Sequence, residues 1–192
     1  ITHAREVTLA VTGRERIDGL SALEVFWGYS LNSQEFMNRP YVRIDGLELK
    51  TELNLPAGQK RFAFNALVRH PSFQQLAAQA LARQRRDEEL SRLDDDALEA
   101  YGKLRRLAAL ASGEALTIVP IVDASGGWAA PVQLGGSAAP GARAVGEGFG
   151  RLAAAYGTGN AEAFGRAAGA LTLALRNLNL AVYASKSDLA RE

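Results

Sequence analysis

Two histidines, one methionine and short runs of Asp and Arg are the side chains of this sequence best suited to chemistry. His3 and His70 could each hold haem iron or zinc through an imidazole nitrogen, and Met37 could give haem a thioether. Neither histidine has a second His at metal-binding spacing on a helix. The plainer reading is a surface His3, a His70 beside the turn residue Pro71, and a gap-filling Met37. Asp94-Asp95-Asp96 could attract a divalent cation, yet hard-cation loops alternate their ligands and include a Gly. Consecutive carboxylates at a helix start point apart and complement the helix dipole, which is the preferred reading. Arg83, Arg85 and Arg86 could grip propionates, phosphates or anionic headgroups. Asp87, Glu88 and Glu89 follow at once and neutralise the run, as in a solvated helix end. Trp128 follows a tight turn and reads either as an exposed platform for a partner or, by preference, as a lid folded onto the core.

Catalytic arrangements do not emerge. Gly146, Gly148 and Gly150 give G-x-G-x-G rather than G-x-G-x-x-G and follow no strand, so close helix packing explains them better than a dinucleotide. No G-x-S-x-G, phosphate loop or Ser/His/Asp grouping occurs. With no cysteine, the chain has no disulfide, no thiol nucleophile, no Cys-bound zinc and no haem attached through its own sulfurs. No catalytic residue and no metal site is assigned.

The elements that would carry these residues are mostly helices. Residues 2–12 predict a helix ending at Gly13, followed by the polar turn RERIDG. Ser21 with Glu24 has the spacing of a capping box and opens a helix carrying Leu23, Phe26, Trp27 and Leu31, stopped by Asn38-Arg39-Pro40. YVRI (41–44) is a short strand, and GLELKTELNLP (46–56) a short helix ending before Pro56. From Ser72 to Arg86 the apolar positions Phe73, Leu76, Ala77, Ala80 and Leu81 form an amphipathic stripe. From Ser91 to Ser112 a second stripe runs through Leu93, Ala97, Tyr101, Leu104, Ala108 and Ala111, and the charged link between the two suggests a helical hairpin. LTIVPIV (116–122) is the best strand, confined to an edge by Pro120. A turn at 123–127 returns it to WAAPVQL. Two C-terminal helices follow: Val145, Phe149, Leu152 and Tyr156 mark the first; Phe164, Ala168, Leu171, Leu175, Leu178 and Val182 mark the second. Gly157-Thr158-Gly159 separates them.

The expected fold is therefore mainly α: a bundle-like helical domain with a minor β element, one short hairpin or a sheet of two to three strands. Residues 1–134 read as the main body, 135–141 as a linker-like loop, and 142–192 as a helical pair packed on the body. The 22 basic and 21 acidic residues leave a net charge of +1, which argues against nucleic acid, whose binding rests on surplus positive charge. No apolar run approaches the roughly 20 residues that cross a bilayer. Ile1 is not an initiator Met, so the chain reads as a segment of a longer protein whose flanks, membrane helices included, lie outside it.

Several segments in order carry a resemblance. They are Ile1-Thr2-His3-Ala4-Arg5-Glu6-Val7 with Thr12-Gly13-Arg14; Gly19-Leu20 with Ala22-Leu23-Glu24-Val25; Asn38-Arg39-Pro40-Tyr41-Val42-Arg43-Ile44; Leu53-Asn54-Leu55-Pro56; Lys60-Arg61-Phe62-Ala63-Phe64-Asn65; Tyr101-Gly102-Lys103-Leu104; and Val119-Pro120 with Trp128. Across nearly the whole chain the series resembles the large System II (CcsA/CcsB-type) cytochrome c biogenesis proteins. The resemblance implies a parent embedded in the bacterial inner membrane that exports haem and ligates it to apocytochrome c. This segment would then stand on the extracytoplasmic (periplasmic) face. The family handles haem through membrane histidines and a tryptophan-rich loop, which this sequence lacks, so no functional residue carries over.

The leading expectation is a non-catalytic domain, a scaffold or apocytochrome-docking module, that binds no cofactor by itself. Apocytochrome c and other biogenesis subunits are the implied partners, and haem is the implied cofactor of the parent alone. His70, His3 and Met37 remain weak haem-ligand candidates, and Trp128, Arg83, Arg85 and Arg86 candidate interaction residues. The rival readings are a helical interaction domain of another envelope complex, and a soluble enzyme with a site built from Arg, Glu and Tyr.

Overall fold

The chain folds into two units in a computed structural model that describes residues 2–121 and 127–178. One unit comprises Ile1–Tyr29 and Ser33–Ala108, the other Ser30–Asn32 and Ala109–Glu192. The fold is mainly α with a minor β component.

In the first unit α1 (Thr2–Thr12) closes with Gly13 N–H on Leu9 O at 2.8 Å. The segment read as a polar turn is a small hairpin: β1 (Arg16–Ile17) and β2 (Leu20–Ser21) pair antiparallel across Asp18-Gly19. Both turn residues have positive φ, 50° and 80°, as a two-residue primed turn demands. The Ser21–Glu24 capping box is present, with Ser21 N–H donating to Glu24 Oε2 at 2.7 Å and Glu24 N–H to Ser21 Oγ at 3.3 Å. It starts α2 (Ala22–Leu31).

Here the single helix expected as far as Asn38 gives way to two. α2 ends at Leu31 and a separate turn, α3, spans Ser33–Phe36. The break lets Phe36 fold back onto α2, where its ring occupies the space that a Cβ at Gly28 would need. Phe36 then stacks edge-on against Tyr29 at 5.6 Å and Tyr41 at 6.2 Å between ring centroids. The gain in buried aromatic surface outweighs one helical turn.

β3 (Val42–Arg43) pairs antiparallel with β4 (Arg61–Phe62), and α4 (Leu47–Glu52) lies between them in sequence. Long-range bonds converge on this ladder. Arg61 Nε donates to Thr12 O at 3.0 Å, Lys103 Nζ to Arg43 O at 2.7 Å, and Asn65 Nδ2 to Asn38 Oδ1 at 2.9 Å. α5 (Phe64–Val68), α6 (Pro71–Arg85) and α7 (Arg92–Ala111) follow.

α7 keeps its expected ends, but its stripe is set differently. Ala97 and Leu104 are buried as expected, whereas Ala108 is exposed and Leu107 and Leu110 are buried in its place. Apolar area decides the phase: Leu gains far more from burial than Ala does.

In the second unit β5 (Val119–Ile121) pairs antiparallel with β6 (Gly127–Ala129), placing Pro120 opposite Trp128. A two-stranded ladder gives Pro120 the edge position it needs. The turn at 123–126 lies outside the described residues. Among the described residues the β structure is thus three separate two-stranded ladders. Residues 135–141 lie inside this unit, and Pro140 opens α8 (Pro140–Gly157). α8 meets α9 (Ala161–Leu178) closely. Gly146 is seated against the backbone of Leu134 and Gly135, where a Cβ could not fit. On α9 the expected burial of Phe164, Leu171, Leu175 and Leu178 reduces to Leu171; the other three are half-buried. Val182 lies outside the described residues. Among the described residues no helix is long and apolar enough to cross a membrane.

Candidate functional site

A cavity of about 300 Å³ lies in the first unit, lined by α5, α6 and α7. Local sequence explains the walls. His70 is extended (φ −77°, ψ 114°) and Pro71 takes the first position of α6, where its missing N–H costs no helical bond. Phe73, Ala77 and Ala80 repeat along the buried face of α6. At the far end of α6, Asp94 draws the two helices into register. Its Oδ2 accepts from Ser91 N and Oγ at 3.0 and 2.7 Å and from Arg83 Nη1 at 2.7 Å. The floor is the buried apolar set Phe64, Phe73, Ala77 and Leu104. Polar groups appear only at the edge: half-buried Tyr101, exposed Gln74 and exposed Arg105. Tyr101 and Arg105 are neighbours one turn apart on α7. No Asp or Glu is among the lining residues.

A second polar cleft lies where α7 passes the β3–α4 loop. Asp96 packs against Gly46, and its Oδ2 is buried without a hydrogen-bond partner among the described residues. Burial pushes its carboxyl above the ordinary value, against the pull of Arg92. Lys103 pairs with Glu99 at 2.7 Å beside it. Asp94 behaves oppositely: the hydrogen bonds from Ser91, then Arg83, hold its carboxyl below the ordinary value. Asp95 is exposed, so the three Asp do point apart. Among the described residues no group of three or more His, Asp or Glu is placed to hold a metal ion.

Arg, Glu and Tyr side chains meet around Arg39. Arg39 Nη1 donates to Tyr41 Oη at 3.1 Å, pairs with Glu35, and stacks over the Phe36 ring at 4.5 Å. Tyr29 and Tyr41 are wholly enclosed. Burial drives the Tyr29 phenol well above its ordinary range and raises that of Tyr41. A phenol so held keeps its proton at neutral pH.

The candidates read from sequence do not come together. His3 is exposed on α1 with its ring edge-on to Phe26. His70 is half-buried at the start of α6, its Nδ1 without a partner among the described residues, and it does not line the cavity. Met37 is half-buried after α3. Arg83 is tied to Asp94 and Arg86 to Glu88, leaving Arg85 exposed beside them. Trp128 is 56 % exposed on its hairpin, so the lid reading is corrected: a two-stranded ladder of three residue pairs has too little surface beneath the ring to cover it. The apolar cavity was missed because Phe64, Phe73 and Arg105 belong to three different elements. The Tyr101–Arg105 spacing on one helix face was its one local signal.

No family model matches the chain, and no curated protein matches it.

Proposed function

We propose that this chain is a non-catalytic domain of a membrane-bound cytochrome c biogenesis protein, standing on the periplasmic face of the bacterial inner membrane. There it serves as a scaffold or as a docking module for apocytochrome c. The observation that supports the reading is a convergence. Three segments that carry the family resemblance, Thr12-Gly13-Arg14, Asn38 to Ile44 and Lys60 to Asn65, are far apart in sequence and meet around one ladder. Arg61 to Thr12, Asn65 to Asn38, and the β3–β4 pairing join them. Residues spent on such cross-links frame a rigid surface rather than a reaction centre.

Binding of an unhaemed, CxxCH-bearing apocytochrome c to the immobilised chain tests the docking role. Saturable binding at micromolar concentration is expected; its absence there overturns docking. A haemin titration followed by the Soret band tests the rest. No one-to-one, sub-micromolar complex is expected, because His3 is exposed and His70 and Met37 lie outside the apolar cavity. Such a complex, abolished by His70→Ala, would move haem handling into this domain and overturn the reading.

A further inference from the structure

We infer that the cavity between α5, α6 and α7 is a binding site for a small aliphatic carboxylate, with the chain of the ligand on the apolar floor and its carboxylate on Arg105 and Tyr101. This stands apart from the family reading and needs no membrane parent. Its size sets the ligand's size. A space of about 300 Å³ is at the small end of ligand sites, roughly 300–1,000 Å³. A space of that size suits an aliphatic chain of medium length.

The walls set the ligand's chemistry. Phe64, Phe73 and Leu104 are each less than a tenth exposed and form a floor without a charged group. Each methylene laid on such a floor leaves water, so affinity should rise with chain length. At the rim the only formal charge is the Arg105 guanidinium, which makes no ion pair among the described residues. The Tyr101 hydroxyl, one turn before it, is likewise without a protein partner among the described residues and can donate. A planar guanidinium matches a carboxylate with two parallel N–H bonds. A cationic head would meet only repulsion there, and a neutral head would leave the guanidinium in water.

Isothermal titration of the full chain with sodium decanoate, decan-1-ol and decyltrimethylammonium tests this. Decanoate should bind one-to-one, at least about tenfold tighter than decanol, and the ammonium should give no saturable heat. Arg105→Ala should lower decanoate affinity about tenfold and leave decanol unchanged, while Arg105→Lys keeps part of the difference. Ala78→Trp fills the exposed wall and should abolish both. Arg105 and Ala78 are exposed, so both variants should keep the wild-type circular dichroism. The wild-type protein supplies a variant-free readout: decanoate should shift the Tyr101 ring resonances. The inference is overturned by non-saturable decanoate binding, by equal affinity for decanol, or by decanoate binding that Ala78→Trp leaves intact.

Discussion

The aromatic knot of the first unit and the helical pair of the second reach stability by different means. Tyr29, Phe36 and Tyr41 are 0 %, 4 % and 0 % exposed, with Arg39 closing over two of the rings. Among the described residues of α9, Leu171 alone is buried, and Leu173 is 60 % exposed. The first region concentrates its burial in a few large rings packed edge to face, one of them bonded by Arg39. The second buries Val145, Phe149 and Leu152 on α8, whereas α9 offers Leu171 and a set of half-buried residues. Loss of one side chain should therefore be felt very differently in the two.

Phe36→Ala is the sharpest way to break the contrast. It removes the ring that touches Tyr29, Tyr41 and Gly28, and should cost about 3–5 kcal/mol, read by urea unfolding. A cost near that of an exposed residue would mean that the knot is not a core. In the second unit Leu171→Ala should fall toward the lower end of the roughly 2–5 kcal/mol range for buried Leu. Leu175→Ala should cost less, and Leu173→Ala should stay within about 0.5 kcal/mol of wild type. Equal melting temperatures for the Leu171 and Leu175 variants would show that α9 is turned differently about its axis.

Smaller effects separate the two carboxylates of the α7 start. Asp94→Ala removes a capping partner of Ser91 and should cost about 1 kcal/mol at neutral pH. Because its folded pKa is depressed, this contribution is full above the unfolded value of about 3.9. It should fade as the pH drops through the folded value. Asp96 has the reverse sign. Its folded pKa is raised, so its favourable contribution is full below about 3.9. That contribution is lost as the pH rises through the folded value. Asp96→Asn should therefore raise the melting temperature at pH 7 and have little effect at pH 3. Parallel pH profiles for the two variants would contradict the burial of Asp96 against Gly46.

Elements defined by local chemistry were legible from sequence. The Ser21–Glu24 cap and the Gly-Thr-Gly break after α8 both act through neighbours in the chain. The break at Asn32 was hidden because its cause, Phe36 returning to Gly28, is a tertiary contact. The Asp18-Gly19 hairpin was legible in principle, since that dipeptide is a strong turn signal, and was passed over as polar loop. α7 was placed correctly but rotated, because Ala and Leu both fit a helical stripe and only packing ranks them. The candidate site was the least legible part. A cavity is a property of three elements together, and its floor reads in sequence as ordinary core.

Lysine is scarce here beside arginine, and the three lysine amines among the described residues are unequally placed. Lys50 is 4 % exposed with Nζ on Ala57 O at 3.2 Å; Lys103 is 8 % exposed with Nζ on Arg43 O; Lys60 is open to solvent. The molecule thereby carries its own clock for local opening. An amine-reactive succinimidyl ester should acylate Lys60 at the rate of a free side chain, while Lys50 and Lys103 wait for the α4 turn or the α7–β3 contact to come apart. Mass spectrometry of the acylated peptides would time those two openings separately, in wild-type protein and without any engineered probe.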